Sequence, residues 1–324
     1  MSAVDVAAGR AVRPARLRGR GSVFGRRQLS WGLFFLLPWI IGLLAFQLLP
    51  IIFTIFLSFT DYKANLEFAP GNFNFAGLDN YVRLLNDPIA LPSMGVTLKF
   101  ALIGIPLGLI VPLLFALLVN SKALAGSNFF RTLFFLPSVI PVVAGAIVFR
   151  GVLNAQSGWI DLLLKWLGSE EPPRWLTDPS WAGPALNLLG IWAVGNAMII
   201  LLAGLQGVPT ELYEAALMDG ANAIQRFFRI TVPMISPIIF YNVTLGVIGA
   251  FQYFVTALLI GGTNGDPQGS LLFFPLHFYR EAFVFGEMGY GSVLAVVIFV
   301  ITISATGLLF FVGQRFVFYA GGDT

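Results

Sequence analysis

The chain places neutral hydrogen-bonding groups where their neighbours are almost wholly apolar. Between 236 and 260, Asn242, Gly246, Gly249, Ala250 and Tyr253 recur at intervals of three and four, the spacing that puts residues on one stripe of a helix. Gln252 lies beside that stripe. Between 185 and 207, Asn196 adds a further amide, and Trp192 lies one turn earlier. Two chemistries suit such a set. The small residues and polar ends can seat neighbouring helices against each other with interhelical hydrogen bonds, or they can line a cavity in which amide and phenol groups grip a polyol and a ring stacks on it. No pair of acids, no histidine partner and no activated nucleophile converges at this depth, which speaks against an enzyme. With no cysteine in the chain, disulfides, thiolate metal sites and thiol nucleophiles are excluded.

The elements that position these groups must cross a membrane. The chain has 324 residues, 57% hydrophobic and 11% charged, with a mean hydropathy of +0.83, far more apolar than a soluble domain. Runs long enough to cross a hydrocarbon core as helix, roughly 20 residues each, occur six times, at approximately 32 to 58, 96 to 119, 133 to 153, 185 to 207, 236 to 260 and 291 to 313. Gly195 and Asn196 interrupt the fourth, a break that spans tolerate when neighbouring helices satisfy the freed backbone groups. The alternation of barrel strands is absent from these runs, so the expected fold is an all-α integral membrane bundle of six transmembrane helices. Spans four to six carry no charge between Ala185 and Leu205, Pro233 and Ile260, or Val293 and Gly313, while Lys99 and Arg150 sit near the outer ends of spans two and three. Transport driven by a proton or sodium gradient usually needs ionisable groups at membrane depth. Energy is therefore expected from a nucleotide-binding partner, because the chain has no Walker A motif of its own.

Charge sets the orientation. Seven of the nineteen basic residues lie between Arg10 and Arg27, opposed only by Asp5. With the N-terminus inside, the inner segments add Lys122, Arg131, Arg226, Arg229 and Arg315, whereas the outer ones hold Lys63, Arg83, Arg150, Lys165, Arg174 and Arg280. The outer total is half the inner, as the positive-inside rule requires, so both termini are expected in the cytoplasm. Residues 1–30 read as a disordered basic arm held near anionic head groups, residues 31–318 as the six-span domain and residues 319–324 as a cytoplasmic tail. A signal peptide or a transit peptide fits less well, because the following apolar run is too long for one and the arm too poor in serine for the other.

The outer loops at 60–95, with Asp61, Glu67, Asp79 and Asp87, and at 154–182, with Asp161, Glu170, Glu171 and Asp178, read as solvated and acidic. Trp159, Trp166, Trp175 and Trp181 in the second suit either interfacial anchors or a contact surface for an external partner. The glycine-rich stretch from Gly261 to Gly289 lacks a P-loop lysine and reads as a flexible connector. His277, the only histidine, reads as a packed or interfacial residue, and no metal site is expected.

The remaining feature is a polar hairpin between apolar spans. From Glu211 to Pro237 the sequence favours helix, Gly220 interrupts it about midway, and Pro233 marks the next segment. Glu214-Ala215-Ala216, with Asp219-Gly220 following and Ile230 and Pro233 closing the stretch, resembles the EAA motif of permease subunits in binding-protein-dependent ABC importers. Val232 stands where leucine is commoner. Further stretches agree, including GLDNY from Gly77, SFTDY from Ser58, FFRTLFFLP from Phe129, LAGLQGVP from Leu202 and MGYGSVLAVVIF from Met288. From about Phe34 onward the chain is similar to sugar permeases of the maltose and glycerol-phosphate type.

That resemblance implies the MetI-like fold of type I importers, with a coupling loop at 209–233 on which an ATPase docks. Glu214, Ala215, Ala216, Asp219, Gly220, Ile230 and Pro233 would form the coupling surface, and Glu214 would pair with a basic group of the ATPase. The sugar pocket is implied at or near Asn196, Gly246, Ala250 and Tyr253. The implied partners are a second homologous permease, two ATPase subunits, an extracytoplasmic solute-binding protein, membrane lipid and a sugar-like ligand, with no nucleic acid. No cofactor is expected in this chain, ATP and Mg2+ being bound by the ATPase. The implied location is the bacterial cytoplasmic (inner) membrane. A reading from another class is a self-contained channel or facilitator for a small polar solute, which needs no nucleotide.

Overall fold

The computed structural model describes residues 23–65, 69, 71, 73–121 and 123–318. Most of the basic arm, Glu67, Lys122 and the C-terminal tail lie outside the described residues. The chain divides at Phe53 into two compact units.

Among the described residues, the first unit is helical. Helix α1 (Val23–Leu43) starts eight residues before the end of the segment read as an arm, passes through a π turn at Leu44–Leu48 and continues into α2 (Leu49–Leu57). Trp31–Leu57 is long and apolar enough to cross a bilayer. Its rings at Trp31, Phe34, Phe35 and Phe46 are exposed, as suits a helix bathed in lipid.

The second unit begins at Thr54. After an isolated antiparallel bridge between Thr60 and Phe75 come α3 (Asp79–Asn86) and the long α4 (Ala90–Asn120). Helix α4 starts six residues before the apolar run read from sequence, so Lys99 stands in its third turn. At 1.5 Å per residue the helix is about 46 Å long, longer than the hydrocarbon core, which leaves room for Lys99 near a membrane–water interface. The third span is broken rather than continuous. Helix α5 (Ser127–Phe135) and a 3-10 turn to Val139 meet α6 (Val142–Val152) at a bend of 103°, placed where Pro141 has no N–H to offer the helix ladder.

A short α7 (Trp159–Trp166) precedes α8 (Pro179–Trp192), whose start is capped by the Asp178 side chain accepting from the Ser180 N–H. Helix α9 (Gly195–Gln206) follows at a 50° bend, the break expected at this place. The hairpin consists of α10 (Thr210–Met218), α11 (Ala223–Arg226), a π turn at Phe227–Thr231 and α12 (Val232–Met234), and it leads at 69° into α13 (Ser236–Phe251). The fifth apolar run is shorter as a helix than as a sequence. It stops at Phe251, unwinds over 252–254 and resumes as α14 (Val255–Gly261). Helices α15 (Phe274–Tyr279) and α16 (Met288–Gly313) complete the chain.

Three helices are individually long enough to cross a membrane, and six spans result when each bent pair counts as one. Among the described residues the structure is helical apart from turns and the single bridge, in accord with the all-α expectation. Helix α4 is the hub, touching α5, α8, α9, α13 and α15. Its seam toward α9 is a buried cluster of Ala116, Val119, Met198, Leu201, Leu202 and Leu205 that reaches Ile235 beside the hairpin. A second cluster, Ala182, Leu186, Ala257, Leu271, Phe273 and Leu276, ties α8 and α14 to the segment before α15. That segment, read from sequence as a flexible connector, is instead packed into the core. Its LLFFPLHF stretch is apolar enough to be drawn into the bundle, and Leu271, Phe273 and Leu276 are fully buried.

Candidate functional site: a neutral cavity and an exposed hairpin

The stripe seen in sequence faces a cavity. Asn242, Gly246, Gly249, Ala250 and Tyr253 form one wall of a space of about 160 Å3, with α4 contributing Phe100 and Gly104 and α8 contributing Asn187 and Gly190. The glycines leave this wall without side chains and so create the room. Asn242 donates its Nδ2 hydrogen to the Ile238 carbonyl at 2.9 Å, which turns its carbonyl oxygen free of the helix backbone. The Tyr253 ring closes one end, 4.4 Å from Phe100 and 5.2 Å from Phe273 between centroids. It can do so because the chain unwinds just before it.

Asn196 and Trp192 line a neighbouring cavity of about 310 Å3 with Ser138, Thr256 and, again, Tyr253 and Gly190. Tyr253 thus joins two chambers. Gln252 does not belong with them. It opens onto an apolar pocket bounded by Phe254, Phe278, Tyr279 and Phe283, because the break after Phe251 sends adjacent side chains to different sides. None of the residues lining the two chambers carries a formal charge at neutral pH.

At the end of the α4–α9 seam, the hairpin has the expected shape of helix, glycine turn, helix. Gly220 sits at φ +75°, a left-handed conformation that costs a side-chain-bearing residue roughly 1–2 kcal/mol. The second helix starts with a capping box, Asn222 accepting from the Gln225 N–H while Gln225 accepts from the Asn222 N–H. Tyr213 and Thr231 hydroxyls meet at 2.9 Å and pin the two arms together. Glu214, Ala215, Asp219 and Gly220 are exposed, whereas Ala216, Ile230 and Pro233 are half-buried and Ile230 packs on the seam. Leu217, Met218, Ile224 and Phe228 also stand exposed, an apolar surface beside the acidic Glu214 and Asp219.

The far end of the unit holds a polar cluster that sequence reading passed over. His277 is 1% exposed, and its Nε2 lies 2.8 Å from Asp87 Oδ2, which also accepts from the Tyr290 hydroxyl. Glu281 takes Arg83 at 3.2 Å, and Glu287 takes Lys63 at 2.9 Å. Asp161, read as solvated, is buried because the Trp175 indole N–H donates to it at 2.8 Å. The tryptophans consequently divide, with Trp159 and Trp166 exposed on α7 and Trp175 held against Trp181.

Residues 104–317 match the family described as the inner membrane component of binding-protein-dependent transport systems. The chain belongs to that family. Over 290 residues it is 39% identical to the probable ABC transporter permease protein YesP of Bacillus subtilis (strain 168), covering 89% of this chain and 92% of that one. It is 32% identical to the arabinooligosaccharides transport system permease protein AraP of the same organism, over 82% of this chain and 83% of the relative. A solved bacterial alginate ABC transporter in complex with an alginate pentasaccharide-bound periplasmic protein contains a chain of the same fold, with a TM-score of 0.76 at 22% identity, covering 90% of this chain and 97% of that chain.

As a member of this family of inner-membrane components, the chain is a multi-pass permease subunit. Within it the structure unites Asn242, Gly246, Ala250 and Tyr253 on one cavity, sets Asn196 and Trp192 on the next, and parts Gln252 from both. Asn187 and Gly104 were missed. The available signal was the small-residue spacing Gly104-x-x-x-Gly108 in the second span, which marks a surface where another helix comes close.

Proposed function

We propose that the chain is the carbohydrate-translocating permease of an ABC importer, passing a mono- or oligosaccharide or related polyol from an extracytoplasmic binding protein to the cytoplasm. The observation that carries this reading is the pair of uncharged chambers joined at Tyr253. They offer amides, hydroxyls and a ring face, the groups that suit a polyol, and no ionisable group that would couple transport to an ion gradient. Relatives named for oligosaccharide transport support the same class. A second homologous permease would complete the path, and two ATPase subunits binding ATP and Mg2+ would dock on the exposed hairpin, where Glu214 pairs with a base and Gly220 permits the turn. The arginine-rich start and the basic inner loops support cytoplasmic termini.

The test is reconstitution with the cognate permease, ATPase and binding protein in proteoliposomes, followed by uptake of labelled maltose, trehalose and arabinotriose. Uptake of at least one that requires both internal ATP and the binding protein is expected. Uptake at the same rate without nucleotide would establish the facilitator reading instead, and failure of all three would overturn the saccharide class.

A further inference from the structure

Asn187 is the deepest polar group of the first chamber and the one with the least protein to satisfy it. The residue is 6% exposed. Its Nδ2 reaches only the Gly183 carbonyl, at 3.5 Å, the outer limit of a hydrogen bond. Two carbonyl oxygens repel, so the end toward Gly183 is the NH2 and the amide oxygen points across to α4. There it finds Gly104. A Cβ built at Gly104 would lie 2.6 Å from Asn187 Oδ1, so only glycine lets the oxygen occupy this place. Among the described residues no N–H or O–H group donates to that oxygen. The oxygen is not among the sealed, unpartnered side-chain atoms of the described residues, so it opens onto the chamber, where a donor can reach it.

Asn242 repeats the pattern from the opposite wall. Its NH2 is spent on Ile238, leaving its oxygen for the cavity that both residues line. The chamber therefore presents two hydrogen-bond acceptors, glycine-lined sides and the Tyr253 and Phe100 rings at one end. An incoming group must supply hydrogens. Sugar hydroxyls do so, whereas an ionised carboxylate offers acceptors only. A uronate placed here would meet two oxygens of like polarity and no cation among the lining residues, and would lose its water without replacement.

We infer that Asn187 is a specificity-determining contact of the solute path, accepting a hydrogen bond from a hydroxyl of a neutral saccharide, and that this chamber rejects uronates. The inference rests on the carbohydrate reading above and narrows it. Gly104 acts as a positioning residue by keeping the Asn187 oxygen in place.

The experiment uses the complete importer in proteoliposomes, with labelled maltose, trehalose, arabinotriose and digalacturonate as probes. The wild type should carry at least one neutral sugar and carry digalacturonate at background. For the sugar carried, Asn187→Ala and the similarly shaped Asn187→Leu, both of which remove the acceptor, should lower maximal uptake roughly two- to tenfold, the weight of one neutral hydrogen bond, with half-saturation, set by the binding protein, unchanged. Gly104→Ala should do the same by displacing the oxygen. All three complexes should assemble and melt as the wild type does. Neutral uptake with equal uptake of digalacturonate would overturn the exclusion while leaving the carbohydrate reading intact. Wild-type uptake rates in both Asn187 variants would remove the residue from the path. Loss of assembly in both would overturn it too, since the amide would then be a helix-packing group. Failure of every saccharide in the wild type is a separate result that removes the reading beneath the inference.

Discussion

His277 Nε2 lies 2.8 Å from Asp87 Oδ2, a contact that joins the segment before α4 to α15, 190 residues further along the chain. On the other side of the ring, Arg280 Nη2 stands 3.4 Å from Nδ1. Arginine has no acceptor, so Nδ1 accepts and Nε2 carries the proton that goes to Asp87. The Tyr290 hydroxyl donates to the same carboxylate oxygen, and Arg83 lies 4.0 Å above the Tyr290 ring. One aspartate thus gathers α15 and the start of α16 at the mouth of the bundle.

Burial pushes the Asp87 carboxyl up, but hydrogen bonds from Tyr290, the Ile89 N–H and His277 outweigh it and hold the group below the ordinary aspartate value of 3.8. A depressed folded pKa gives stability that is whole above the unfolded value and is lost as pH falls through the folded one. Thermal unfolding of the detergent-solubilised complex should therefore show no contribution from this group to any change between pH 7 and 5, and a decline below about 4. Asp87→Asn should cost about 1–3 kcal/mol at pH 7 and flatten the acid limb. An unchanged acid limb in the variant would show that other carboxylates govern it.

Tyr253 allows ring and hydroxyl to be separated. The ring packs between Phe100 and Phe273, so Tyr253→Ala should lower stability by about 3–5 kcal/mol, as large-to-small core changes do. Tyr253→Phe keeps the ring and should leave melting near wild type while lowering uptake roughly two- to tenfold. Asn196→Ala, with its side chain already exposed to the second chamber, should behave like the phenylalanine variant. Full uptake in stable Tyr253→Phe and Asn196→Ala complexes would take both groups out of the pathway.

What was legible in the sequence were the features with local causes. Apolar length disclosed the spans, the three-and-four spacing disclosed a common stripe but not whether it packs or lines a cavity, and Gly220 between two helix-favouring stretches disclosed the hairpin. What escaped depends on partners distant in sequence. Asn187 acquires meaning only when Gly104 is opposite it, and Asp87 and His277 each look ordinary until the fold closes the gap between them. Gln252 parts from the stripe for the reverse reason. Its place beside the stripe assumed a continuous helix, and the helix ends one residue before it.

The hairpin predicts a coupling defect without a folding defect. Gly220→Pro or Glu214→Lys should leave the subunit inserted and assembled, because proline, which cannot adopt the φ of +75° found at Gly220, reshapes only an exposed turn, and Glu214 is exposed. Both should reduce binding-protein-stimulated ATP hydrolysis and uptake together. Normal stimulation in both variants would mean that the ATPase docks elsewhere.

Topology can be read directly in a chain without cysteine. With both termini cytoplasmic, a cysteine at Ser2 should resist an impermeant thiol reagent in intact cells, while one at Ser169, in the loop between α7 and α8, should react. The opposite pattern would turn the molecule over and carry the hairpin away from any cytoplasmic ATPase.

The break between α8 and α9 offers the last test, since it sets where Trp192 and Asn196 stand. A Cβ at Gly195 would fall 2.7 Å from Phe135 Cα and 2.8 Å from the Phe134 carbonyl oxygen. Both are backbone atoms, so no rotamer change relieves the clash and α5 must move away from α9. Gly195→Ala should therefore destabilise the complex by about 1–3 kcal/mol, the usual range for overpacking. Gly183→Ala is the control. It lies within α8 with nothing inside 4 Å of a new Cβ, and alanine in place of glycine within a helix should raise stability by roughly 0.5–1 kcal/mol. Melting of the two variants in one detergent checks the pair. If both shift in the same direction, the close approach of α5 to α9 is not what requires glycine at 195.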